Sequence, residues 1–210
     1  MGFNNFFKHP VNSYFRLISS LDLPTKKAPR LRLPASVWER VNETHKDQKQ
    51  LERELIEDLL KSETPLKNTQ CWTLPLNSKV VSQYSSPRTL PNNRSYLHSG
   101  VDLRARRPQP IVATADGTIL FANKMVVPGN NILIDHGEGL FSRYMHLSKL
   151  LVHQGDSVQR GQVIGLTGAT GRVEAPHLHW EVVWKGRPIS PFLFLDKWRF
   201  ICNPRFALTR

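Results

Sequence analysis

The sequence lacks long apolar runs and has little cysteine. No stretch of its 210 residues approaches the roughly 18 consecutive apolar residues that a membrane helix needs, which excludes an integral membrane protein. Its two cysteines, Cys71 and Cys202, are too few for a disulfide-framed miniprotein or a cysteine-rich zinc module. Hydrophobic residues make up 40% and charged residues 22%, so the composition is that of a globular protein.

Acidic residues are also scarce. There are 17 of them against 29 lysines and arginines, which gives a formal net charge of +12. This imbalance predicts attraction to a polyanion, for which nucleic acid and the anionic polymers of a cell envelope are the candidates. The basic residues are scattered and form no helical stripe, RNA-binding motif or zinc-finger pattern. We therefore expect a generally basic surface and no nucleic-acid partner.

Residues 1–70 are predicted to form an extension with one helix. The first thirty residues contain no continuous apolar core of a signal peptide, so we expect either another export route or prior removal of a signal. Ser36 and Glu39 fit a capping box, and apolar residues recur near one face of residues 36–62, which predicts a packing helix there. The extension is a candidate regulatory element.

The pattern changes at Cys71. Short apolar alternating runs are separated by glycine, proline and asparagine about every ten residues, which is typical of an all-β fold. We assign residues 71–202 to one β domain and residues 203–210 to a C-terminal tail. The predicted strands are 79–83, 110–115, 118–123, 131–135, 141–147, 163–167, 177–184 and 187–189.

Histidine is concentrated in this domain. Six of the eight histidines fall between His98 and His179. His98 lies four residues before Asp102, and His177 lies two residues before His179; even spacings place both members of a pair on one face of an extended strand. His146 lies between the two pairs in the sequence. Zinc favours histidine nitrogen and carboxylate oxygen, so the combination predicts a metal site, although each pair alone is weak.

Consecutive motifs connect these residues. They are His98-Ser99-Gly100-Val101-Asp102, 110–118, 131–137, 144–148, 155–165, 168–171 and Pro176-His177-Leu178-His179-Trp180-Glu181. Through these motifs, residues 98–182 resemble the LytM/lysostaphin-like family of zinc metalloendopeptidases, which cut peptide bonds in peptidoglycan. The resemblance implies a mainly β fold: an antiparallel β-sheet half-barrel sandwich of the duplicated hybrid motif type, preceded by the α-helical extension.

The resemblance also implies one zinc ion (Zn2+) per chain. Its ligands would be His98, Asp102 and His179, which leaves the fourth coordination position for water. His146 and His177 would be the non-ligand catalytic histidines. One would act as base and the other would steady the oxyanion, in an order that the sequence leaves open. The two other histidines of the region are expected to be structural or exposed.

Further residues are candidates for contact with the ligands or the substrate. Glu181 is a candidate to orient a ligand histidine, although an exposed or salt-bridged glutamate fits the pattern equally. Arg172 lies where a substrate wall is expected, unless it is only a loop charge. The tyrosine that the family often uses near the oxyanion has two candidates, Tyr84 and Tyr96. The family's Phe-Gly-x-Arg entrance motif is also altered, at residues 84–88.

The resemblance implies peptidoglycan as the partner and the cell envelope as the location, periplasmic or secreted. We expect a monomer. Cross-links in stem peptides and glycine bridges both remain open as the bond that is cut. The alternative function is a non-catalytic envelope scaffold or an activator of another wall hydrolase. That alternative predicts missing metal ligands, and none is missing.

Two features outside the metal motifs complete the expectations. Some relatives are held latent by an upstream segment that lies over the zinc, so we expect residues 1–70 to restrain the cleft. Cys71 and Cys202 bracket the β domain, and either a disulfide or two reduced thiols fits them.

Overall fold

The computed structural model describes residues 30–42, 45–67, 70–106 and 108–203. The aromatic segment before residue 30 and the predicted tail beyond residue 203 lie outside the described residues. The described helices are α1 (Ala35–Asn42), α2 (Lys46–Leu59) and α3 (Pro191–Cys202). The strands are β1 (Val80–Ser82), β2 (Pro87–Thr89), β3 (Ser95–Leu97), β4 (Val101–Arg104), β5 (Pro110–Val112), β6 (Gly117–Met125), β7 (Gly129–Gly137), β8 (Leu140–Leu147), β9 (Lys149–Leu150), β10 (Ser157–Val158), β11 (Val163–Leu166), β12 (His177–Trp184) and β13 (Arg187–Ile189).

The largest sheet has eight strands in the order β1-β4-β12-β8-β7-β6-β10, with β13 beside β12. A second sheet has the order β5-β11-β9, and β2 pairs with β3 in a third. All pairings between these strands are antiparallel. The prediction of a mainly β, antiparallel fold is therefore confirmed.

One face of the large sheet builds the main hydrophobic core. Side chains alternate along β12, and Leu178, Trp180 and Val182 are fully buried on this face. Ile111 and Ile164, from the three-stranded sheet, belong to the same core. The small sheet therefore packs against this face of the large one.

The opposite face of the large sheet carries polar residues and a second, smaller cluster. His179, Glu181 and Val183 alternate with the core residues and point to this side. Val183 packs with Phe141 and with Ile56, the one buried residue of α2. As a result, α2 covers part of the same face that carries His179 and Glu181.

The single helix predicted over residues 36–62 is wrong, because α1 ends at Asn42 and α2 begins at Lys46. The reason is local. His45 has φ = −133° and ψ = 34°, which is not a helical conformation, and histidine itself has a low helix propensity. The interruption separates α1 from the helix that packs on the sheet.

The sequence pattern does not predict α3. It predicts only strands and loops in residues 71–202, but the last twelve of them form this helix. Its start carries a recognisable signal, because Pro191 occupies the first turn directly after Ser190. Phe194 and Trp198 of α3 pack on Trp72, with ring centroids 4.6 and 6.3 Å apart. No described helix is long and apolar enough to cross a membrane.

Cys71 and Cys202 form a disulfide across 131 positions of sequence. The bond joins the segment before β1 to the last residue of α3. Of the two possibilities that the sequence leaves open, the structure contains the bridge.

Candidate metal centre and catalytic cleft

Two neighbouring strands place the first pair of candidate ligands. The register between β4 and β12 sets Asp102 directly opposite His179, and opposite residues of an antiparallel pair point to the same face. His98 reaches the same point from the segment just before β4. The chain passes β12 so closely there that a Cβ added to Gly100 would lie 2.3 Å from the Trp180 carbonyl oxygen. Glycine therefore permits the approach of His98.

Three ligand atoms converge at this point. Nε2 of His98 lies 3.0 Å from Oδ1 of Asp102 and 2.9 Å from Nδ1 of His179. The distance between Nδ1 of His179 and Oδ1 of Asp102 is 2.8 Å. All three side chains are buried.

The outer hydrogen bonds of the two histidines fix which nitrogens face inward. Nδ1 of His98 lies 2.8 Å from the Gln83 carbonyl oxygen, which can only accept, so this nitrogen carries the proton. Nε2 of His179 lies 3.0 Å from Oε1 of Glu181 and donates to that carboxylate. The inward atoms, Nε2 of His98 and Nδ1 of His179, can therefore offer lone pairs to a metal ion once they carry no proton, as Asp102 does.

The pKa values of Asp102 and His179 show that the site attracts positive charge, which a proton supplies when no metal ion is bound. Burial alone would raise the pKa of Asp102, but hydrogen bonds from His179 and His98 hold that pKa far below its usual range. Burial would likewise lower the pKa of His179, but hydrogen bonds to Asp102 and Glu181, with their charges, raise it to about 9. Two nitrogen lone pairs and a carboxylate oxygen, with room for a fourth ligand, are the donor set that catalytic zinc takes. The residues therefore fit a zinc ion.

Neighbouring polar groups hold these ligands in position. Ser99 donates through Oγ to Glu181 Oε1. Oδ2 of Asp102, the oxygen that does not face the other ligands, accepts from Arg88 Nη2 at 2.5 Å. The same Arg88 nitrogen lies 2.8 Å from Ser82 Oγ. The sequence indicates Arg88 only as part of the altered entrance motif. Its contact with Asp102, 14 positions away, cannot be predicted from local sequence patterns.

His146 and His177 lie beside the candidate ligands, with ring centroids 4.9 Å apart. Each is anchored by a backbone carbonyl: Nδ1 of His146 lies 2.9 Å from the Thr170 oxygen, and Nδ1 of His177 lies 2.8 Å from the Ala175 oxygen. The carbonyls accept, so both rings present an unprotonated Nε2. Nε2 of His177 lies 3.5 Å from Asp102 Oδ1.

Burial keeps these two rings neutral. It lowers the pKa of His146 well below its ordinary value, and the nearby charges of His177 and His179 act in the same direction. Burial also lowers the pKa of His177, against the attraction of Asp102. His146 has φ = +65°, a conformation that side chains rarely adopt, and its N–H donates to the Pro128 carbonyl at 2.8 Å. The strand is therefore distorted where it delivers His146 to the site.

A cleft of about 730 Å3 opens over this arrangement. It brings together eight of the candidate site residues singled out in the sequence: Tyr96, His98, Asp102, His146, Arg172, His177, His179 and Glu181. The other tyrosine candidate, Tyr84, is not among the residues that line the cleft and donates its hydroxyl to the Pro188 carbonyl at 2.9 Å. Between the two tyrosines, the geometry favours Tyr96.

Residues 30–33 form one wall of the cleft. Leu31 N–H donates to the Thr89 carbonyl at 2.9 Å, and Arg32 N–H donates to the Glu174 carboxylate. Arg30 donates through Nη2 to the Pro91 carbonyl at 2.7 Å. An extended part of the N-terminal extension therefore lies along the edge of β2, within the cleft.

The histidine of the glycine-rich turn lies away from the cleft. His136 is buried, donates from Nδ1 to the Asp116 carbonyl at 2.7 Å, and has Nε2 2.7 Å from Ser142 Oγ. Burial lowers the pKa of His136 to about 4. Its surroundings are those of a structural histidine.

Both the sequence and the fold are similar to those of known proteins. The protein-family model of Peptidase family M23 matches residues 96–191. The chain is 40% identical over 119 residues to the peptidoglycan DD-endopeptidase ShyA of Vibrio cholerae, which covers 55% of this chain and 28% of ShyA. The chain thus spans little more than a quarter of that relative.

Two solved structures share the fold. A zinc-containing peptidase from Vibrio cholerae superposes with a TM-score of 0.55 at 35% identity, covering 58% of this chain and 39% of that one. The catalytic domain of the antimicrobial peptidase lysostaphin from Staphylococcus simulans superposes with a TM-score of 0.51 at 34% identity. The match covers 57% of this chain and 93% of the lysostaphin domain.

Proposed function

The chain belongs to peptidase family M23, and we propose that it is a zinc-dependent endopeptidase that hydrolyses peptide bonds in bacterial peptidoglycan. One observation carries the proposal: lone pairs of His98, Asp102 and His179 converge at one buried point, beside two further histidines in an open cleft. The similarity to ShyA, a peptidoglycan DD-endopeptidase, supports the substrate, and a zinc-containing structural relative supports the metal. Residues 71–202 would form the peptidase domain.

In this proposal His98, Asp102 and His179 hold the zinc ion. When bound, zinc lowers the pKa of a coordinated water and polarises the scissile carbonyl. His146 and His177 present unprotonated Nε2 atoms to the same cleft, so either ring accepts the proton of the attacking water. The imidazolium formed in this way donates the proton from Nε2 to the leaving amine, or steadies the oxyanion.

The remaining assignments follow from charge and redox state. We propose that the enzyme acts in the cell envelope, periplasmic or secreted, because a disulfide such as Cys71–Cys202 persists in oxidising compartments. We also propose that it is a monomer. A formal net charge of +12 favours binding to an anionic wall. No nucleic-acid partner is proposed.

We further propose that residues 1–70 restrain the enzyme. Residues 30–33 occupy the cleft edge through three hydrogen bonds to Thr89, Glu174 and Pro91. α2 packs on the same sheet face as the candidate ligands, through Ile56 and through Glu52, which accepts from Val126 N–H at 2.9 Å. Substrate that pairs with the edge of β2 must displace residues 30–33.

Digestion of purified peptidoglycan, followed by mass spectrometry of the released fragments, tests the proposed activity. We expect the zinc-loaded protein to release peptide fragments, and we expect a chelator or His179→Ala to abolish their release. His153→Ala is the matched control, because the His153 side chain is 93% exposed. Unchanged digestion in chelator or by His179→Ala would refute the zinc mechanism. No digestion by the zinc-loaded protein, also after relief of the N-terminal restraint, would favour a non-catalytic scaffold or activator.

A further inference from the structure

The cleft continues beyond the histidines towards α2. A second cavity, of about 790 Å3, lies between α2 and the large sheet. Tyr96, Arg143 and Arg172 line both this cavity and the cleft over the candidate metal centre. The two spaces therefore meet at a shared wall, on the sheet face that carries His179.

Positive charge is concentrated at this junction. Arg172 comes from the loop before β12, where its N–H donates to the Val127 carbonyl at 2.9 Å. Arg94 comes from the turn between β2 and β3, and Lys49 from α2. Burial lowers the pKa of Lys49, and the charges of Arg172, Arg94 and Arg53 lower it further. These cations, from three separate elements, thus lie within electrostatic reach of one another.

Two of the carboxylates that line the second cavity, Glu52 and Glu181, are committed to other donors. Glu52 accepts from Val126 N–H through both oxygens, at 3.1 and 2.9 Å. Glu181 accepts from Ser99 and His179. Among the residues that the structure describes, no carboxylate forms an ion pair with Arg94 or Arg172. The positive charge at the junction is therefore not neutralised by a direct ion pair to either arginine.

We propose that Arg172, helped by the charge of Arg94 in the second cavity, binds a free carboxylate group of the peptide substrate. The proposal rests on the proposed function and adds the substrate class, an acidic peptide, and the residues that select it. A guanidinium matches a carboxylate with two parallel N–H donors, and partial burial strengthens such a pair. Tyr96 supports Arg172 from one side, because the guanidinium carbon lies 5.8 Å from the centre of the tyrosine ring.

The position of Arg172 gives the subsite a role in orientation. Arg172 precedes His177 by five residues, and both residues line the cleft. A carboxylate held by Arg172 would fix the substrate to one side of the scissile bond, towards α2. If Arg172 only stacks on Tyr96, the protein should show no preference between a carboxylate and an uncharged amide.

The test compares binding of matched peptides in the presence of a chelator. Chelation prevents hydrolysis and prevents a carboxylate from binding to the metal instead. The probes are a cross-linked stem-peptide dimer, the same dimer with its C-terminal carboxylates amidated, and the same dimer with its internal carboxylates amidated. Calorimetry of the full chain should show that one of the two amidations weakens binding by about tenfold or more, which identifies the source of the carboxylate.

The variants decide whether Arg172 is responsible. Arg172→Gln should reduce the preference for carboxylate over amide to within about twofold, Arg94→Gln should reduce it partly, and Arg172→Lys should retain part of it. Arg187→Gln is the control, because Arg187 is exposed on β13 and lines neither cavity. Thermal melting of each variant verifies folding.

Three outcomes would overturn the proposal: equal binding of all three dimers by the wild type, an unchanged preference in folded Arg172→Gln, or no measurable binding of any dimer. A wild type that shows the preference in chelator but hydrolyses no dimer when loaded with zinc would contradict the proposed endopeptidase activity instead. The two failures are therefore distinguishable.

Discussion

Hydrogen bonds outside the centre decide what the cleft can bind. Three histidines of the cleft donate from Nδ1 to backbone carbonyls, so each directs Nε2 inward; these are His98, His146 and His177. His179 is reversed, because its Nε2 is held by Glu181 and its Nδ1 faces Asp102. The difference follows from position, since a carboxylate two residues further along the same strand lies on the same face.

Glu181 is therefore predicted to control metal affinity. Replacement by alanine leaves His179 free to turn or to protonate at Nδ1, and we expect zinc affinity to fall about 10- to 100-fold. Glu181→Gln, which keeps an acceptor but not the charge, should lie between alanine and wild type. Competition with a chromophoric chelator measures the affinities, and Glu63→Ala, at an exposed position, is the control. Affinity within twofold of wild type for Glu181→Ala would show that Glu181 does not position His179.

His136 is predicted to make the fold sensitive to acid. Its pKa falls from 6.5 in the unfolded chain to about 4 in the folded protein. Between these values the unfolded state binds the proton and the native state does not, so stability rises with pH. This contribution is complete above pH 6.5 and is lost as the pH falls towards 4. It amounts to about 3 kcal/mol.

Urea denaturation at several pH values between 4 and 7 measures this effect as the free energy of unfolding. His136→Gln has no titrating group at this position, so its stability should depend less steeply on pH than that of the wild type. His153→Ala should keep the wild-type slope, because the His153 side chain is exposed. The same slope in His136→Gln and wild type would contradict the assignment.

At the scale of elements, the sequence predicts the long strands well. β12 and β13 have the predicted bounds. For β12 the reason is the alternation of polar and apolar residues over 177–182, which identifies a strand with two distinct faces. The short strands β2, β3 and β4 lie outside the prediction, since runs of three or four residues are determined by the neighbours with which they pair. β4 nevertheless carries Asp102. The motif at residues 98–102 therefore identifies this candidate ligand, although the hydrophobic pattern does not predict the strand on which it lies.

The placement of α2 is less accessible to prediction. Apolar positions along residues 36–62 indicate a packing helix but not its partner, and Leu51 and Leu55 of that stripe are exposed, at 65% and 45%. Ile56 makes the buried contact instead. Because α2 packs on the large sheet through a single buried side chain, its apolar pattern does not show which part of the fold it contacts. The carboxylate subsite depends on this docking, because Lys49 of α2 forms part of its charge.

The segment at 30–33 allows a specific test of restraint. Leu31→Pro removes the N–H that donates to the Thr89 carbonyl and should loosen the segment from β2. One such hydrogen bond contributes about 1 kcal/mol, so we expect peptidoglycan hydrolysis to rise about fivefold. Leu31→Ala keeps the N–H and serves as the control. Rates for Leu31→Pro at or below those of Leu31→Ala would contradict the restraint.

At the scale of the whole molecule, the disulfide closes the β domain on itself. Cys71 precedes β1, Cys202 ends α3, and Trp72, Phe194 and Trp198 pack in the main core beside these ends. A bridge across 131 positions removes much of the freedom of the unfolded chain. The domain between the cysteines contains every residue of the proposed metal centre, so the bridge should stabilise the whole site rather than one loop.

We therefore expect the double substitution Cys71→Ser and Cys202→Ser to lower the free energy of unfolding by about 2–5 kcal/mol. The denaturant dependence should become steeper, because an unfolded chain without the cross-link exposes more surface. Reductant should bring the wild type to the same values and leave the double variant unchanged. Two titratable thiols in denatured, unreduced wild type, together with no effect of reductant, would show that the bridge is absent in solution. In that case α3 would be held against the segment before β1 by the packing of Phe194 and Trp198 on Trp72, without a covalent bond.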